Sequence, residues 1–260
     1  RDINFPIRTL NKAGELCING DTIFILGSNH SFINQDFTRT FDTTGWVYIM
    51  PYNNGLTTLD GSTAINDFWD AIVTIESTSR VYIKRLNLIN STGQNEGIGL
   101  RVNSYSKESR NIIVDSCNVN NTKRQGMNIQ GSYITVKNCE ISNACLSNIN
   151  QSACSTYWDA ALKSFVDTSR PWLYCYKIEF LNNKVHNCWG EGINLVRTDS
   201  FKVSNNIVYN VYSQSIYLDN SYNGEVNNNW IYSNDSTYDR SCYNHIISND
   251  YKAPAGGIYW

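Results

Sequence analysis

The sequence predicts an all-β fold, a parallel β-helix in which the chain winds as a solenoid of stacked coils. The first observation is a 23-residue repeat: the segments IEFLNNKVHN (178–187), FKVSNNIVYN (201–210) and GEVNNNWIYS (224–233) align without gaps. The second is the alternation of apolar and polar residues inside each segment, which is the two-residue period of strands. The third is that no repeat contains a helix-length 3.6-residue period. Repeats of this size bury their apolar faces only against their neighbours, as in solenoids.

Three positions keep their chemistry from one repeat to the next. They are apolar, asparagine and apolar, in the sets Phe180, Val203 and Val226; Asn183, Asn206 and Asn229; and Val185, Val208 and Ile231. We expect the asparagines to stack in one column and to hydrogen-bond to each other and to the backbone of the next coil. Their predicted role is therefore structural.

The repeat also extends upstream in the same register. The segments VYIKRLNLIN (81–90), IIVDSCNVNN (112–121) and ITVKNCEISN (134–143) place Ile83, Val114 and Val136 at the third position. The interval of 22 residues is one turn, and the interval of 31 is one turn with an inserted loop. The 44 residues from Val136 to Phe180 are either two turns or one turn with a large excursion, and the loop-like composition of 144–158 favours the excursion.

One elongated domain is predicted for residues 1–260. Residues 1–27 form an N-terminal cap and first strand, 28–80 form irregular first coils, and 81–260 form regular coils with a loop excursion near 144–158. The helical spacing of Leu10, Ala13 and Leu16 predicts a short capping helix over the open end of the solenoid. Further strands are predicted at 22–26, 46–50, 57–60 and 71–76. The final GGIYW resembles the opening of another strand, so either the chain is truncated or a neighbouring subunit completes its last turn.

Composition narrows the class of protein. The net charge is −2 and the sequence has no basic cluster, so it lacks the positive charge that nucleic-acid binding requires. No apolar run approaches the 18 residues of a membrane span. The chain starts at Arg1 without an apolar leader, so either a signal peptide was removed or the chain is part of a longer one.

The eight cysteines favour an oxidising compartment. They form no CxxC pair and the chain has only three histidines, which disfavours a zinc site. Cys117 and Cys139 occupy the same repeat position one turn apart, so they lie within disulfide reach or stack inward as free thiols. Cys145 is expected to bridge to Cys154, with Cys175 or Cys188 as alternative partners. The competing interpretation is a set of small buried apolar residues.

Five sequons agree with an extracellular location, either secreted or at the cell surface. The predicted N-glycosylation sites are Asn29, Asn90, Asn120, Asn150 and Asn234. N-linked glycans are therefore expected partners.

The order RTLNKAGELCINGDTIFI, PYNNGLTTLDGS, GEGINLV and SIYLDNS resembles the right-handed parallel β-helix proteins of the pectate-lyase-like superfamily. The resemblance covers essentially the whole chain and implies a single-stranded right-handed β-helix. That superfamily includes polysaccharide lyases, glycosidases, viral tailspikes and proteins without known chemistry, so the resemblance is specific for fold and not for activity.

One strand of each coil supplies a candidate binding surface. Alignment by eye points four apolar residues inward, and their neighbours Asn128, Lys163, Asn194 and Tyr217 outward along one line. Phe165, Val196 and Asp219 form a second outward line. A mixture of amine, amide, phenol and carboxylate suits a sugar polymer, whereas the alternative is an ordinary solvated face. The inward residues are Met127, Leu162, Ile193 and Ile216.

Aromatic and charged residues surround this line. Trp158, Asp159 and Trp189 join Asn128 and Asn194 as candidate substrate-binding residues. In the turn WGEG (189–192), glycines on both sides of Glu191 allow a tight bend, and a similar turn recurs in the resembling proteins. Glu191 either hydrogen-bonds backbone amides there or takes part in catalysis.

The superfamily's chemistry implies two mechanisms. A lyase needs a base, for which Lys163, Arg197 or Tyr217 are candidates, and Asp159, Glu191 and Asp219 could hold Ca²⁺. A glycosidase needs two carboxylates, for which Glu191 and Asp219 on adjacent turns are candidates. The acidic motifs of polygalacturonase-type hydrolases are absent, and the motifs of alginate and chondroitin lyases are not convincingly present.

Two functions compete on these grounds. One is a secreted carbohydrate-associated protein that binds an extracellular polysaccharide and, as a lyase or glycosidase, cleaves it. The alternative is a non-catalytic glycosylated subunit of a fibre, appendage or cell-surface coat that assembles end to end or laterally. His186 follows an inward valine, and we expect it to be a surface residue.

Overall fold

The computed structural model describes the chain with gaps. The described residues are 6–27, 29–31, 35–39, 44–53, 55–62, 70–92, 97–146, 160–164, 175–238 and 246–248. Most of the predicted loop excursion, the cysteines at 154 and 242, the phenylalanine at 165 and the final GGIYW lie outside them. The same holds for the candidate site residues Trp158, Asp159 and Asn150.

The described strands form three parallel sheets of eight strands. The first sheet contains β1 (Thr22–Ile25), β4 (Val47–Pro51), β7 (Ser79–Lys84), β10 (Arg110–Asp115), β13 (Ser132–Lys137), β16 (Cys175–Leu181), β19 (Thr198–Ser204) and β22 (Glu225–Asn227). The second contains β2 (Asn29–Ser31), β5 (Thr57–Asp60), β8 (Leu86–Ser91), β11 (Asn118–Thr122), β14 (Glu140–Ser142), β17 (Lys184–Cys188), β20 (Ile207–Val211) and β23 (Trp230–Tyr232). The third contains β3 (Gln35–Phe37), β6 (Ala71–Glu76), β9 (Ile98–Asn103), β12 (Met127–Ile129), β15 (Ala160–Ser164), β18 (Glu191–Val196), β21 (Ile216–Asp219) and β24 (Ile246–Ser248). Every third strand returns to the same sheet, so the chain is a parallel β-helix, as predicted.

The register of the first sheet confirms the repeat. Val114 pairs with Ile83 on one side and with Val136 on the other, and Val136 pairs with Phe180. Phe180 then pairs with Val203. The 44-residue interval is therefore one coil with an excursion. All five side chains are fully buried in the core, where the removal of apolar surface from water stabilises the stack.

The asparagine column is confirmed between the first and second sheets. The side chain of Asn206 donates through Nδ2 to the carbonyl oxygen of Phe180 and to Oδ1 of Asn229, both at 2.9 Å. Its Oδ1 accepts from the backbone N of Asn183 at 2.8 Å and from Nδ2 of Asn183 at 3.1 Å. Both ends of the amide are therefore paired, which is what a buried polar group requires.

Left-handed backbone at the turns explains why the chain is so rich in asparagine. Nine asparagines at the ends of first-sheet and second-sheet strands have φ between 50° and 61°: Asn138, Asn182, Asn205, Asn228, Asn90, Asn121, Asn143, Asn187 and Asn210. Asparagine tolerates this conformation better than other residues that carry a Cβ atom. The sequence therefore bends at the same point in successive coils.

The predicted capping helix is present as α1 (Leu10–Leu16). Thr9 caps it by accepting a hydrogen bond at Oγ1 from the backbone N of Lys12, at 3.2 Å. Leu10, Ala13 and Gly14 are buried, whereas Leu16 is 36% exposed. A Cβ at Gly14 would lie 2.4 Å from the carbonyl oxygen of Thr38, so the helix packs closely against that segment.

The first two coils follow the same strand order as the later ones. Strands β1 to β6 occupy the first, second and third sheets in turn. Of the predicted strands, 57–60 and 71–76 match β5 and β6, 46–50 is shifted by one residue, and 22–26 is one residue too long.

The described cysteines are not cross-linked. All six are buried free thiols: Cys17, Cys117, Cys139, Cys145, Cys175 and Cys188. Of the two arrangements left open for Cys117 and Cys139, the structure has the inward thiols. The expected disulfide at Cys145 is absent, as are bridges at Cys175 and Cys188. Burial and the adjacent Cys117 raise the pKa of Cys139 well above its ordinary value, so it serves as a neutral, small core side chain.

Candidate functional site

The polar line on the third sheet has the predicted register. Asn128 pairs with Lys163, Lys163 with Asn194, and Asn194 with Tyr217. Arg101, which sequence reasoning missed, pairs with Asn128 and extends the line by one coil. We call Arg101, Asn128, Lys163, Asn194 and Tyr217 the third-sheet column. The predicted inward partners Met127, Leu162, Ile193 and Ile216 are fully buried in the core.

The column is not an ordinary solvated face. Asn128 is 4%, Lys163 7% and Asn194 2% exposed, whereas Tyr217 is partly exposed. Buried amides and amines cost free energy unless they are hydrogen-bonded. Polar side chains that turn away from the apolar core and are still shielded from water are therefore candidates for ligand recognition.

Glu191 lies next to the column and is oriented toward it. It is the first residue of β18 and is 1% exposed. Nδ2 of Asn194 donates a hydrogen bond to Oε2 of Glu191. An ionised carboxylate can only accept hydrogen bonds, so this contact fixes which end of the Asn194 amide faces Glu191.

The other end of that amide is unpaired. Oδ1 of Asn194 is buried and has no hydrogen-bond partner among the described residues. Most buried polar groups in native proteins are paired, so each exception needs an explanation. A ligand that donates a hydrogen bond to Asn194 supplies one.

The glycine after Glu191 has a packing reason. A Cβ at position 192 would lie 2.5 Å from the carbonyl oxygen of Ser215 and 2.8 Å from Cγ1 of Val208. Gly126 is equally tight, because its Cβ would lie 2.8 Å from the carbonyl oxygen of Ala161. Only glycine lets the coils approach so closely at these points.

Two glutamines near the starts of other third-sheet strands were missed by sequence reasoning: Gln214 in the coil after Glu191, and Gln125 two coils before it. Gln125 and Gln214 are buried, and each precedes a small residue at the start of a third-sheet strand. The backbone N of Gly192 donates to the carbonyl oxygen of Gln214 at 2.8 Å. Oε1 of Gln214 accepts from the hydroxyl of Ser213 at 2.5 Å. A polar residue before a small one, repeated at strand starts, was the signal in the sequence.

The proposed pairing of Glu191 with Asp219 as glycosidase carboxylates is wrong. Asp219 pairs with Val196, five residues along β18 from Glu191. At about 3.3 Å per residue the two Cα atoms are roughly 16 Å apart. Carboxyl pairs in glycosidases are separated by about 5 to 9.5 Å.

Arg197 and Trp189 lie beside the column rather than in it. Arg197 is exposed in the turn after β18, with φ of 50°, and its backbone N donates to the carbonyl oxygen of Asp219 at 2.8 Å. The ring of Trp189 is half-buried and packs against the rings of Tyr212 and Tyr238, each at 5.2 Å between centroids.

His186 lies on the second sheet, where it belongs to a different arrangement. Its ring stacks on Tyr209 at 4.7 Å, and Tyr209 stacks on Tyr232 at 4.9 Å. Oε1 of Glu140 lies 2.9 Å from both Nζ of Lys184 and Nε2 of His186. The hydrogen bonds from Lys184 and then His186 hold the pKa of Glu140 below its ordinary value. We call His186, Tyr209 and Tyr232 the second-sheet stack.

The described sequons differ in their surroundings. Asn234 is exposed. Nδ2 of Asn90 donates to Oδ1 of Asp60 at 3.2 Å, and Nδ2 of Asn120 donates to Oγ of Ser142 at 2.7 Å. Asn29 lies in β2, and glycosylation stays a prediction at all five sites.

Within the described ranges, no group of three or more His, Cys, Asp or Glu side chains is placed to hold a metal ion. The Ca²⁺ site of Asp159, Glu191 and Asp219 stays a prediction, because Asp159 lies outside those ranges. No helix in the described part of the chain is long and apolar enough to cross a membrane.

The family comparison agrees with the fold. Residues 172–259 match the family described as a right handed beta helix region. No curated protein matches the chain significantly in sequence. The chain is therefore a right-handed parallel β-helix, as predicted.

Comparison with solved structures finds similarity at low sequence identity. The GH136 lacto-N-biosidase from Eubacterium ramulus superposes with a TM-score of 0.62 and 12% identity over 88% of this chain and 49% of that one. The Dettilon tailspike protein has a TM-score of 0.48 and 16% identity, over 88% of this chain and 50% of its own. The mannuronan C-5 epimerase A-module from Azotobacter vinelandii has a TM-score of 0.49 and 13% identity, over 80% of this chain and 64% of its own. This chain thus spans about half the length of the first two.

Proposed function

We propose that this protein is a secreted, carbohydrate-binding β-helix that holds an extracellular polysaccharide along the third-sheet column. The observation that carries the proposal is a line of polar side chains in register over consecutive coils, three of them almost fully buried. Such side chains are positioned by the stack and not by local loops, so their spacing is fixed.

The repeat of the column suits a polymer. Successive coils are separated by about 4.8 Å, the spacing of strands in a sheet, which is close to the length of one sugar ring. A glycan that runs along the solenoid axis would therefore meet one polar side chain per sugar. The name of the lacto-N-biosidase, whose structure is similar over most of this chain, supports a carbohydrate ligand.

Elimination is the better-supported chemistry if the ligand is also cleaved. The register separates Glu191 from Asp219, whereas Lys163 and Tyr217 lie on either side of Asn194. Lys163 or Tyr217 would take the proton next to a uronate carboxyl group, and that carboxylate would need a positive charge or Ca²⁺ to neutralise it. The alternative of a non-catalytic glycosylated subunit predicts no polysaccharide ligand on this face.

Binding assays test the proposal. The panel contains mannuronan, polygalacturonate, hyaluronan and lacto-N-tetraose, each titrated against the wild type, Lys163→Ala and Lys202→Ala. Lys202 is the matched control, because it lies on the first sheet in an exposed ion pair with Glu225. We expect at least one glycan to bind the wild type and Lys202→Ala, and to bind Lys163→Ala about tenfold more weakly, the loss of one charge-assisted hydrogen bond.

Two results would count against the proposal. Failure of every glycan to bind the wild type favours the structural-subunit alternative. Equal affinities of the two lysine variants would move the binding site away from the third sheet. Release of unsaturated uronate in the presence of Ca²⁺ by the wild type, and not by Lys163→Ala, would establish elimination.

A further inference from the structure

We infer that Asn194 accepts a hydrogen bond from a hydroxyl or amide N–H group of the bound sugar, and that Glu191 is the positioning residue that turns Asn194 toward it. This inference rests on the proposed function and assigns a role within that site. It also gives Glu191 a role other than catalysis.

The orientation of the amide follows from the chemistry of Glu191. Nδ2 of Asn194 donates to Oε2 of Glu191, so the NH₂ end of the amide faces the carboxyl group. The carbonyl end then points away from Glu191. Both side chains are at least 98% buried, so water does not compete freely for either end.

The unpaired Oδ1 of Asn194 indicates a missing donor. Leaving a buried acceptor without a hydrogen bond is unfavourable, and no described residue supplies a donor to this atom. Asn206, by comparison, has two donors at its Oδ1. This difference indicates that Oδ1 of Asn194 is available to accept a hydrogen bond from a ligand.

The paired position on the preceding coil selects the opposite chemistry. Lys163 pairs with Asn194, and its ammonium group offers three donors and no acceptor. Adjacent positions of the column therefore select an acceptor, such as a uronate carboxylate, at Lys163 and a donor at Asn194. The ligand class is an acidic glycan whose neighbouring sugar keeps a free hydroxyl or N–H group.

Substituted sugars test this directly. Hexasaccharides of mannuronan, polygalacturonate and hyaluronan, each in native and O-methylated form, are titrated against the wild type, Asn194→Ala, Glu191→Gln and the control Asn118→Ala. O-Methylation removes hydroxyl donors and keeps oxygen acceptors. Asn118 is a half-buried asparagine in β11 on the second sheet.

The expected result is a loss of discrimination. The wild type and Asn118→Ala should bind a native hexasaccharide about tenfold more tightly than its methylated form, and Asn194→Ala should bind both equally weakly. Glu191→Gln should behave like Asn194→Ala, because a glutamine amide can donate to Oδ1 of Asn194 and occupy the acceptor. A merely structural role of Glu191 would weaken both forms by the same factor and preserve their ratio.

The outcomes separate this inference from the function on which it rests. If Lys163→Ala loses binding while Asn194→Ala and Glu191→Gln still discriminate like the wild type, the inference is overturned and the proposed function stands. If no hexasaccharide binds the wild type, both are overturned.

Discussion

Two groups of asparagines recur on this solenoid and differ in how their amides are paired. In the asparagine column between the first two sheets, Asn206 has both of its amide ends hydrogen-bonded to neighbouring coils. On the third sheet, Asn194 is just as buried, but only its Nδ2 is paired within the described residues. The same residue type in the same stack can thus complete the fold or leave an atom free for a ligand.

The contrast shows how a repeat protein separates stability from recognition. Groups inside the turns contact only the coils above and below, so they can be saturated by the chain itself. Groups on an outward face can be saturated only by a covering segment or by a ligand. A stability measurement and a binding measurement should therefore rank the two asparagines in opposite order.

The largest expected effect is on the asparagine column. Asn206→Ala leaves the carbonyl oxygen of Phe180 and the backbone N of Asn183 without partners, and should lower the free energy of unfolding by about 3 kcal/mol. Asn194→Ala removes one donor from Glu191 and should lower it by about 1 kcal/mol. Urea denaturation measures both, with Asn118→Ala as the control. Equal losses for Asn206→Ala and Asn194→Ala would break the comparison.

A somewhat smaller effect should follow from filling the space at Gly192. Gly192→Ala forces a Cβ against the carbonyl oxygen of Ser215, and overpacking of this kind costs about 2 kcal/mol. Because the strain is relieved by moving β18, glycan binding should fall as well. Gly55→Ala is a matched control, since a Cβ there meets no atom within 4 Å. Unchanged melting and binding of Gly192→Ala would show that close approach of the coils does not position the site.

The smallest effect is expected at Asp115, whose carboxylate accepts hydrogen bonds from three side chains. Burial raises the pKa of Asp115, but hydrogen bonds from Tyr82, Asn138 and Ser116 outweigh it, so the pKa lies below its ordinary value of 3.8. Because the folded-state pKa is the lower one, this stabilisation is fully present above pH 3.8 and is lost as the pH falls through the folded-state pKa.

Unfolding measured at decreasing pH tests this assignment. The stability of Asp115→Asn should decline less steeply than that of the wild type below pH 3.8. Identical pH profiles for Asp115→Asn and the wild type would show that its hydrogen bonds do not favour the ionised form.

The sequence predicted the coil architecture because the repeat states it directly. The 23-residue spacing of Asn183, Asn206 and Asn229 gives the length of one coil, and this length sets which residues pair between adjacent coils. The same alignment placed Asn128, Lys163 and Asn194 in one line. The burial of that line could not be predicted. Alternation shows which side chains face the core and which face outward, but not whether an outward side chain is covered or in contact with water.

The contacts between side chains of the candidate site also could not be predicted from the sequence. Glu191 and Asp219 lie on adjacent coils, but only the register shows that they are five residues apart along the strand. The contact from Asn194 to Glu191 joins two residues that are three positions apart in one strand, a spacing that strict two-residue alternation does not place on one face. The cysteines were misjudged because composition predicts a compartment, whereas strand packing decides whether two thiols bond.

Footprinting of tyrosines with hydroxyl radicals tests the central claim most directly. Tyr217 lies in the third-sheet column, and Tyr209 and Tyr232 lie in the second-sheet stack; all three are partly exposed. With a saturating amount of the polysaccharide that binds best, the labelling of Tyr217 should fall while that of Tyr209 and Tyr232 stays constant. Protection of Tyr209 and Tyr232 with full labelling of Tyr217 would contradict the account and move the ligand to the second sheet.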